Sequence, residues 1–371
     1  MRLLAAIMFL ATLTTAALAA PAPEAAASPA PASAAAPGQC YAVLVGAMPG
    51  EALYATHYRD WLKRLRAHLV QAGVPAGNIV ILSGDKEFAD PAVAGVATVE
   101  SIKRALADMA AKVQPQDQFI LALVGHGVST EKPPTLVLPG PDVTAQDLAD
   151  ALAAIPAANQ VVLNLSSSAG SAVEMLVGRG RVIVAANSPA EGNEPIFPEF
   201  FLRGLESKRA DGEGAPAAGA KDGRITLLEA VNWATHEAAL WTLRLKKTET
   251  GWKLDGKESV EIFEKLFAAP PGAPGTQKLA ADSDRARPDG PVVLKPADGK
   301  IDESWISRRV LSEHAVLEDC GEKAGASALR DAGYEPLAGR KPGQPGHLAR
   351  RVVLGQADLL PESPEAPAAK P

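Results

Sequence analysis

The sequence is poor in cysteine and has no pattern of metal-binding side chains. Cys40 and Cys320 are the two cysteines among its 371 residues. They would allow one disulfide in an oxidising compartment, or two separate buried thiols, and the sequence does not decide between the two. The spacing of histidine and cysteine gives no zinc signature. We therefore expect no metal and no cofactor.

An excess of basic residues is also lacking. The formal net charge is −6 at pH 7 and the sequence pI is about 5.6. This balance gives no general reason to expect nucleic acid or an anionic membrane surface as a partner. A peptide or protein partner is possible, and a small-molecule ligand at the sheet edge is a further option.

The longest apolar stretch lies at the N-terminus. Met1 and Arg2 precede an apolar segment from Leu3 to Leu18, and Ala17-Leu18-Ala19 has the small-x-small pattern of a cleavage site. As a membrane anchor the segment is short and weakly hydrophobic. We predict a signal peptide at 1–19, an Ala/Pro-rich linker at 20–39, export to the periplasm or medium, and no stable membrane insertion after cleavage.

From Cys40 onward, short apolar strands alternate with helical patterns. Strands are predicted at 41–46, 79–82, 118–124, 161–165 and 182–186, and helices at 58–72, after Thr98, after Thr144 and at 225–240. This alternation predicts an α/β domain at 40–269, with a mostly parallel sheet and helices on both faces. A further helix is predicted at 260–267, followed by a Pro/Gly-rich linker at 270–300. A small C-terminal module at 301–360, with a helix near 307–317 and a strand at 351–354, and a disordered tail at 361–371 complete the predicted organisation.

Two strands end in residues that carry chemistry. One apolar run ends in Gly125-His126-Gly127, and a later run ends at Ser166. If the two strands are neighbours, these residues face one crevice at the carboxyl edge of the sheet. His126 would act there as a base and Ser166 as a nucleophile. The backbone N–H groups of Gly127 and Ser166 would hold the oxyanion.

The order of these elements resembles the caspase-type cysteine peptidases, especially the legumain-like branch (family C13) and its exported bacterial relatives. The resemblance covers roughly residues 41–267 and implies a caspase-like three-layer fold. It places Ser166 where the family has its nucleophilic cysteine, or Ser167 if the alignment slips by one residue. Thr56 and Asn164 fall where the family reads an asparagine side chain, and neither carries the family's charge there.

These departures predict a pseudopeptidase. A cysteine beside histidine can exist as thiolate, whereas a serine hydroxyl needs general-base help and a third group to orient the histidine. No acid is evident in the sequence at a position that would orient His126. We predict a vestigial pair of His126 and Ser166 in a chain that binds peptide or protein. The alternative is a weak hydrolase that uses Ser166 as nucleophile and His126 as base.

Two other readings of the motifs are weaker. An α/β-hydrolase needs a Gly-x-Ser-x-Gly elbow, and the segment from Leu165 to Gly170 lacks the first glycine. Residues 222–229 match the second half of a calcium loop, but Ala218 and Ala220 stand at the first two ligand positions. The same segment also fits the start of a helix, with Thr226 as N-cap and Glu229 three residues later. We favour the helix start over the calcium loop.

Overall fold

The structure, a computed structural model, describes residues 37–130, 133–189, 194–212, 221–247, 315–321, 326–327, 337 and 341–362. The predicted signal peptide and most of the first linker lie outside the described residues. So do a helix predicted at 260–267, the linker at 270–300 and all but the first two residues of the tail.

The described residues contain eleven strands and six α-helices, numbered here in chain order. The strands are β1 (Cys40–Gly46), β2 (Ile79–Ser83), β3 (Val93–Val96), β4 (Gln118–Gly125), β5 (Gly127–Val128), β6 (Thr135–Leu136), β7 (Val143–Thr144), β8 (Asn159–Ser166), β9 (Arg181–Ala185), β10 (Val316–Glu318) and β11 (Ala326–Ser327). The helices are α1 (Ala52–Gln71), α2 (Val99–Lys112), α3 (Ala145–Ala153), α4 (Val173–Leu176), α5 (Phe197–Ser207) and α6 (Leu227–Lys247).

Eight of these strands form one sheet in the order β11-β10-β9-β8-β4-β1-β2-β3. From β9 to β3 all neighbouring pairs are parallel, and β10 and β11 add an antiparallel edge. The short strands β5, β6 and β7 form a separate antiparallel sheet. The predicted α/β class with a mostly parallel sheet is confirmed.

Helices cover both faces of the main sheet and create two apolar cores. What we call the first core lies on the face of α1, α5 and α6, and the second core lies on the face of α2, α3 and α4. Strand residues alternate between them, so that Leu163 and Leu165 of β8 enter the first core and Val162 enters the second. This alternation decides which way each side chain at a strand end points.

Polar caps fix the starts of three helices as predicted. The side chains of Thr98, Thr144 and Thr226 each accept a hydrogen bond from the backbone N–H three residues later. The side chain of that later residue accepts in turn from the backbone N–H of the threonine. Helix α1 instead begins at Ala52, six residues before the predicted start, directly after Gly50 with its φ of 73°. The residues from Ala52 to His57 are therefore helical and not part of a loop.

The described part of the predicted C-terminal module packs on the α/β domain. Val316 and Leu317, predicted as helical, belong to β10, which pairs with β9. Residues 341–362, which we call the strap, follow the edge where β4 and β8 begin. A strand predicted at 351–354 is replaced by a 3₁₀ turn at Ala349–Arg351 and a single bridge from Val353 to Thr226.

Buried polar groups fasten the strap to the sheet. Gln118 Nε2 donates to the carbonyl of Val353 at 3.0 Å, and its Oε1 accepts from Gly355 N at 2.8 Å. The carboxylate of Asp319 accepts three backbone N–H groups of the strap, at 2.8 to 2.9 Å. Because these bonds satisfy buried backbone groups, the strap forms part of the same folded body.

Candidate functional site

The strands that lead to His126 and Ser166 are neighbours in the sheet. β4 and β8 pair in parallel, with Gly125 opposite Ser166 at their carboxyl ends. The adjacency on which the predicted crevice depends is therefore present. This pair is the last of the register, so His126 follows directly after the final paired residue of β4.

Ser166 points into the second-core side of the sheet. Its Oγ donates to Asn164 Oδ1 at 2.6 Å, and both side chains line a small pocket together with Leu123, Thr135, Leu136 and Leu148. The volume open to the centre of a water-sized sphere is about 20 Å³, enough for about one water molecule.

His126 lies on the opposite side of the strand ends, against α1. Its ring meets Tyr54 edge-on at 4.8 Å and Tyr58 at 5.6 Å between ring centroids. Nε2 lies 3.0 Å from the carbonyl oxygen of Pro49, and Nδ1 lies 3.1 Å from Glu194 Oε2. The structure therefore does not join His126 and Ser166 into a hydrogen-bonded pair, since each uses other partners.

Glu194 is the acid that the sequence did not reveal. It precedes α5, and its side chain is 12 % exposed. The Glu194 carboxylate beside Nδ1 raises the pKa of His126, and this outweighs the opposing effect of partial burial. No local pattern in the sequence marks this carboxylate as the partner of a strand-end histidine.

The backbone donors predicted for an oxyanion are engaged inside the protein. Gly127 N donates to Ser167 Oγ at 2.9 Å, and Ser167 N donates to Gly125 O at 2.9 Å. Ser166 N faces Asn164 Oδ1 at 3.4 Å. A Cβ at Gly127 would lie 2.3 Å from Ser167 O, so a glycine there lets the two strand ends approach closely.

Thr56 lies away from the strand ends of His126 and Ser166, and the two cysteines form no disulfide. Thr56 is exposed on α1 and its hydroxyl donates to the carbonyl of Ala52 at 3.1 Å, away from the Asn164 pocket. Cys40 and Cys320 are both reduced thiols. Burial raises the pKa of Cys40 to about 12. Its Sγ lies 3.4 Å from Gln118 Oε1, at the start of β1 and so at the far edge from the crevice.

The calcium-like segment uses its carboxylate internally. Glu229 accepts from Thr226 N at 2.8 Å and from Gly212 N at 3.1 Å, which is the favoured capping arrangement. Among the described residues, no group of three or more His, Cys, Asp or Glu side chains could hold a metal ion. Within the same residues, no helix has the length and apolarity to cross a membrane.

Comparisons by sequence give no relative, since no family and no curated protein matches the chain. Solved structures with some similarity include a Geobacter sulfurreducens protein at 13% identity and TM-score 0.35, covering 47% of this chain and 84% of that one. The Drosophila initiator caspase Dronc has 16% identity and TM-score 0.30, with 45% and 64% covered. A secreted C11 cysteine protease from Bacteroides thetaiotaomicron has 14% identity and TM-score 0.29, with 57% and 70% covered. Such scores do not assign the chain to a family.

Proposed function

We propose that this chain is an exported caspase-like protein without peptidase activity that acts by binding a peptide or protein. The ordered motifs of the sequence support the caspase-like assignment. The adjacency of the His126 and Ser166 strand ends in a parallel sheet agrees with it.

The observation that carries the inactive assignment is the surroundings of the imidazole. Both ring nitrogens of His126 face acceptors, the Pro49 carbonyl and the Glu194 carboxylate. A general base needs a ring nitrogen with a free lone pair directed at the nucleophile's proton. Here neither nitrogen is directed at Ser166, whose hydroxyl is bonded to Asn164.

Absence of activity is tested with a fluorophosphonate probe and a library of fluorogenic peptides. The wild type, Ser166→Ala and His126→Ala should give the same background in both assays. Ser166→Cys should also gain no turnover, because the new thiol would point into the pocket beside Asn164. Labelling of Ser166 that disappears in His126→Ala would establish the alternative, a weak serine hydrolase.

Binding is tested by selecting ligands from a random peptide library on the purified chain. The half-buried aromatic and charged groups around His126 make this edge the expected contact surface. His126→Ala should weaken selected peptides by about tenfold, or about 1.4 kcal/mol. Gln146→Ala, on the exposed face of α3, is the control and should bind normally. Equal affinity for all three proteins would place binding elsewhere.

Export is tested by identifying the N-terminus of the protein in the periplasm or medium of the host. Cleavage after Ala19 should leave Ala20 first. A chain retained in the cell with Met1 intact would contradict this part of the proposal.

A further inference from the structure

The contact between His126 and Glu194 requires a proton beyond those of a neutral imidazole and a carboxylate. A carbonyl oxygen and a carboxylate oxygen accept hydrogen bonds but do not donate them. Nε2 lies 3.0 Å from the Pro49 carbonyl and Nδ1 lies 3.1 Å from Glu194, so both nitrogens need hydrogen. A neutral imidazole carries one, and would turn one lone pair against an oxygen lone pair.

The surroundings of Glu194 make its position depend on this proton. Both carboxylate oxygens are shielded from solvent and make no hydrogen bond of standard geometry, so the imidazole at 3.1 Å holds Glu194 through its charge. The rings of Tyr54 and Tyr58 pack on His126, and the hydroxyl of Tyr58 faces the carboxylate. Another ionisable group near His126 and Tyr54 is Glu51. As a second acid, it cannot replace the positive charge of the imidazole beside Glu194. A buried carboxylate that loses its cation is costly, typically by several kcal/mol, so it is expelled to water.

We propose that His126 and Glu194 form a proton-dependent latch that holds residues 194–196, which lead into α5, beside the end of β4, and that loss of the proton releases these residues. The latch deepens the proposed function, on which it rests, because its segment contacts His126, at the surface where a partner is expected to bind. A closed latch also keeps the imidazole positively charged and unable to act as a base.

The direction of the pH dependence follows from the charge. The pKa of His126 is raised above its ordinary value by Glu194. The contribution of the pair to stability is therefore complete below the ordinary value and is lost as pH rises through the raised value. The latch is therefore closed below the ordinary pKa of histidine and opens as pH rises through the raised value.

Two measurements on the full chain test the latch. NMR titration of the His126 ring should give a pKa above that of an exposed histidine, and Glu194→Gln should lower it. Hydrogen exchange of residues 194–200, normalised to α2, should be slow below the His126 midpoint and faster above it. The pH dependence should disappear in Glu194→Gln. Glu51→Gln is the matched control, since it removes a nearby exposed carboxylate, and it should keep most of the pH dependence.

If Glu194→Gln does not fold, His126→Gln provides the same test, because its amide cannot titrate and exchange of 194–200 should become independent of pH. A His126 pKa that is ordinary or low, or pH-independent protection in the wild type, would overturn the latch. These readouts use neither hydrolysis nor peptide binding, so the latch and the proposed function can fail separately.

Discussion

Glu199 should contribute much more to stability than Glu206, although both bind the same arginine at nearly the same distance. Arg64 Nη1 lies 2.7 Å from Glu199 Oε2, and Arg64 Nε lies 2.8 Å from Glu206 Oε1. The side chain of Glu199 is 3% exposed, whereas that of Glu206 is 40% exposed. Glu206 accepts two hydrogen bonds from Arg64 and Glu199 accepts one, so burial is the difference that favours Glu199.

The buried carboxylate has more partners than Arg64 alone. Trp61 Nε1 donates to Glu199 Oε2 at 3.1 Å, and Arg203 binds the other oxygen. Burial alone would raise the pKa of Glu199, but Arg64 and Arg203 outweigh it and lower the pKa. Removing one partner of a buried pair costs about 3–5 kcal/mol. Arg64 also keeps Asp60 and Glu206, so we expect the lower end for Glu199→Gln, about 3 kcal/mol.

Glu206→Gln should cost less than about 1 kcal/mol, the usual size of an exposed ion pair. Urea denaturation measures both values, and the melting temperature should fall by about 6–12 °C for Glu199→Gln. The difference between wild type and Glu199→Gln should shrink as pH falls through the lowered pKa of Glu199, because the stabilising charge is then lost. Equal losses for the two variants would refute the argument from burial.

Three further predictions concern the strap and the residues that contact it. Cys40 is buried and its pKa is raised to about 12, so its thiol should resist a disulfide reagent in the native protein. Both thiols should react in denaturant, and rapid reaction of both in the native protein would contradict the burial of Cys40. Gln118→Ala should cost about 2–3 kcal/mol, since it breaks the bonds to Val353 and Gly355, and should speed Cys40 labelling; unchanged labelling would show that the strap does not cover the thiol. Asp319→Ala should cost about 2 kcal/mol in urea denaturation, because three backbone N–H groups lose their acceptor; a neutral effect would mean that water replaces the carboxylate.

The sequence alone determined the class of fold and several local structures. The alternation of strands and helices gave the α/β prediction, because hydrophobic period and turn residues are local properties. The caps at Thr98, Thr144 and Thr226 were readable for the same reason, since a capping box lies within four residues. The adjacency of the His126 and Ser166 strand ends followed from chain order in a parallel sheet, and the structure has them paired.

Only the tertiary structure decided where the site's side chains point. The β4–β8 register places Gly125 opposite Ser166, and the two-residue period of a strand then turns Ser166 toward the second core. Register depends on packing across the whole sheet, which no local pattern encodes. Glu194 reaches His126 because α5 is anchored on α1 through Glu199 and Arg64. Contacts between segments so far apart in the chain arise from packing, and these contacts, more than the motif residues, set the chemistry of the strand ends.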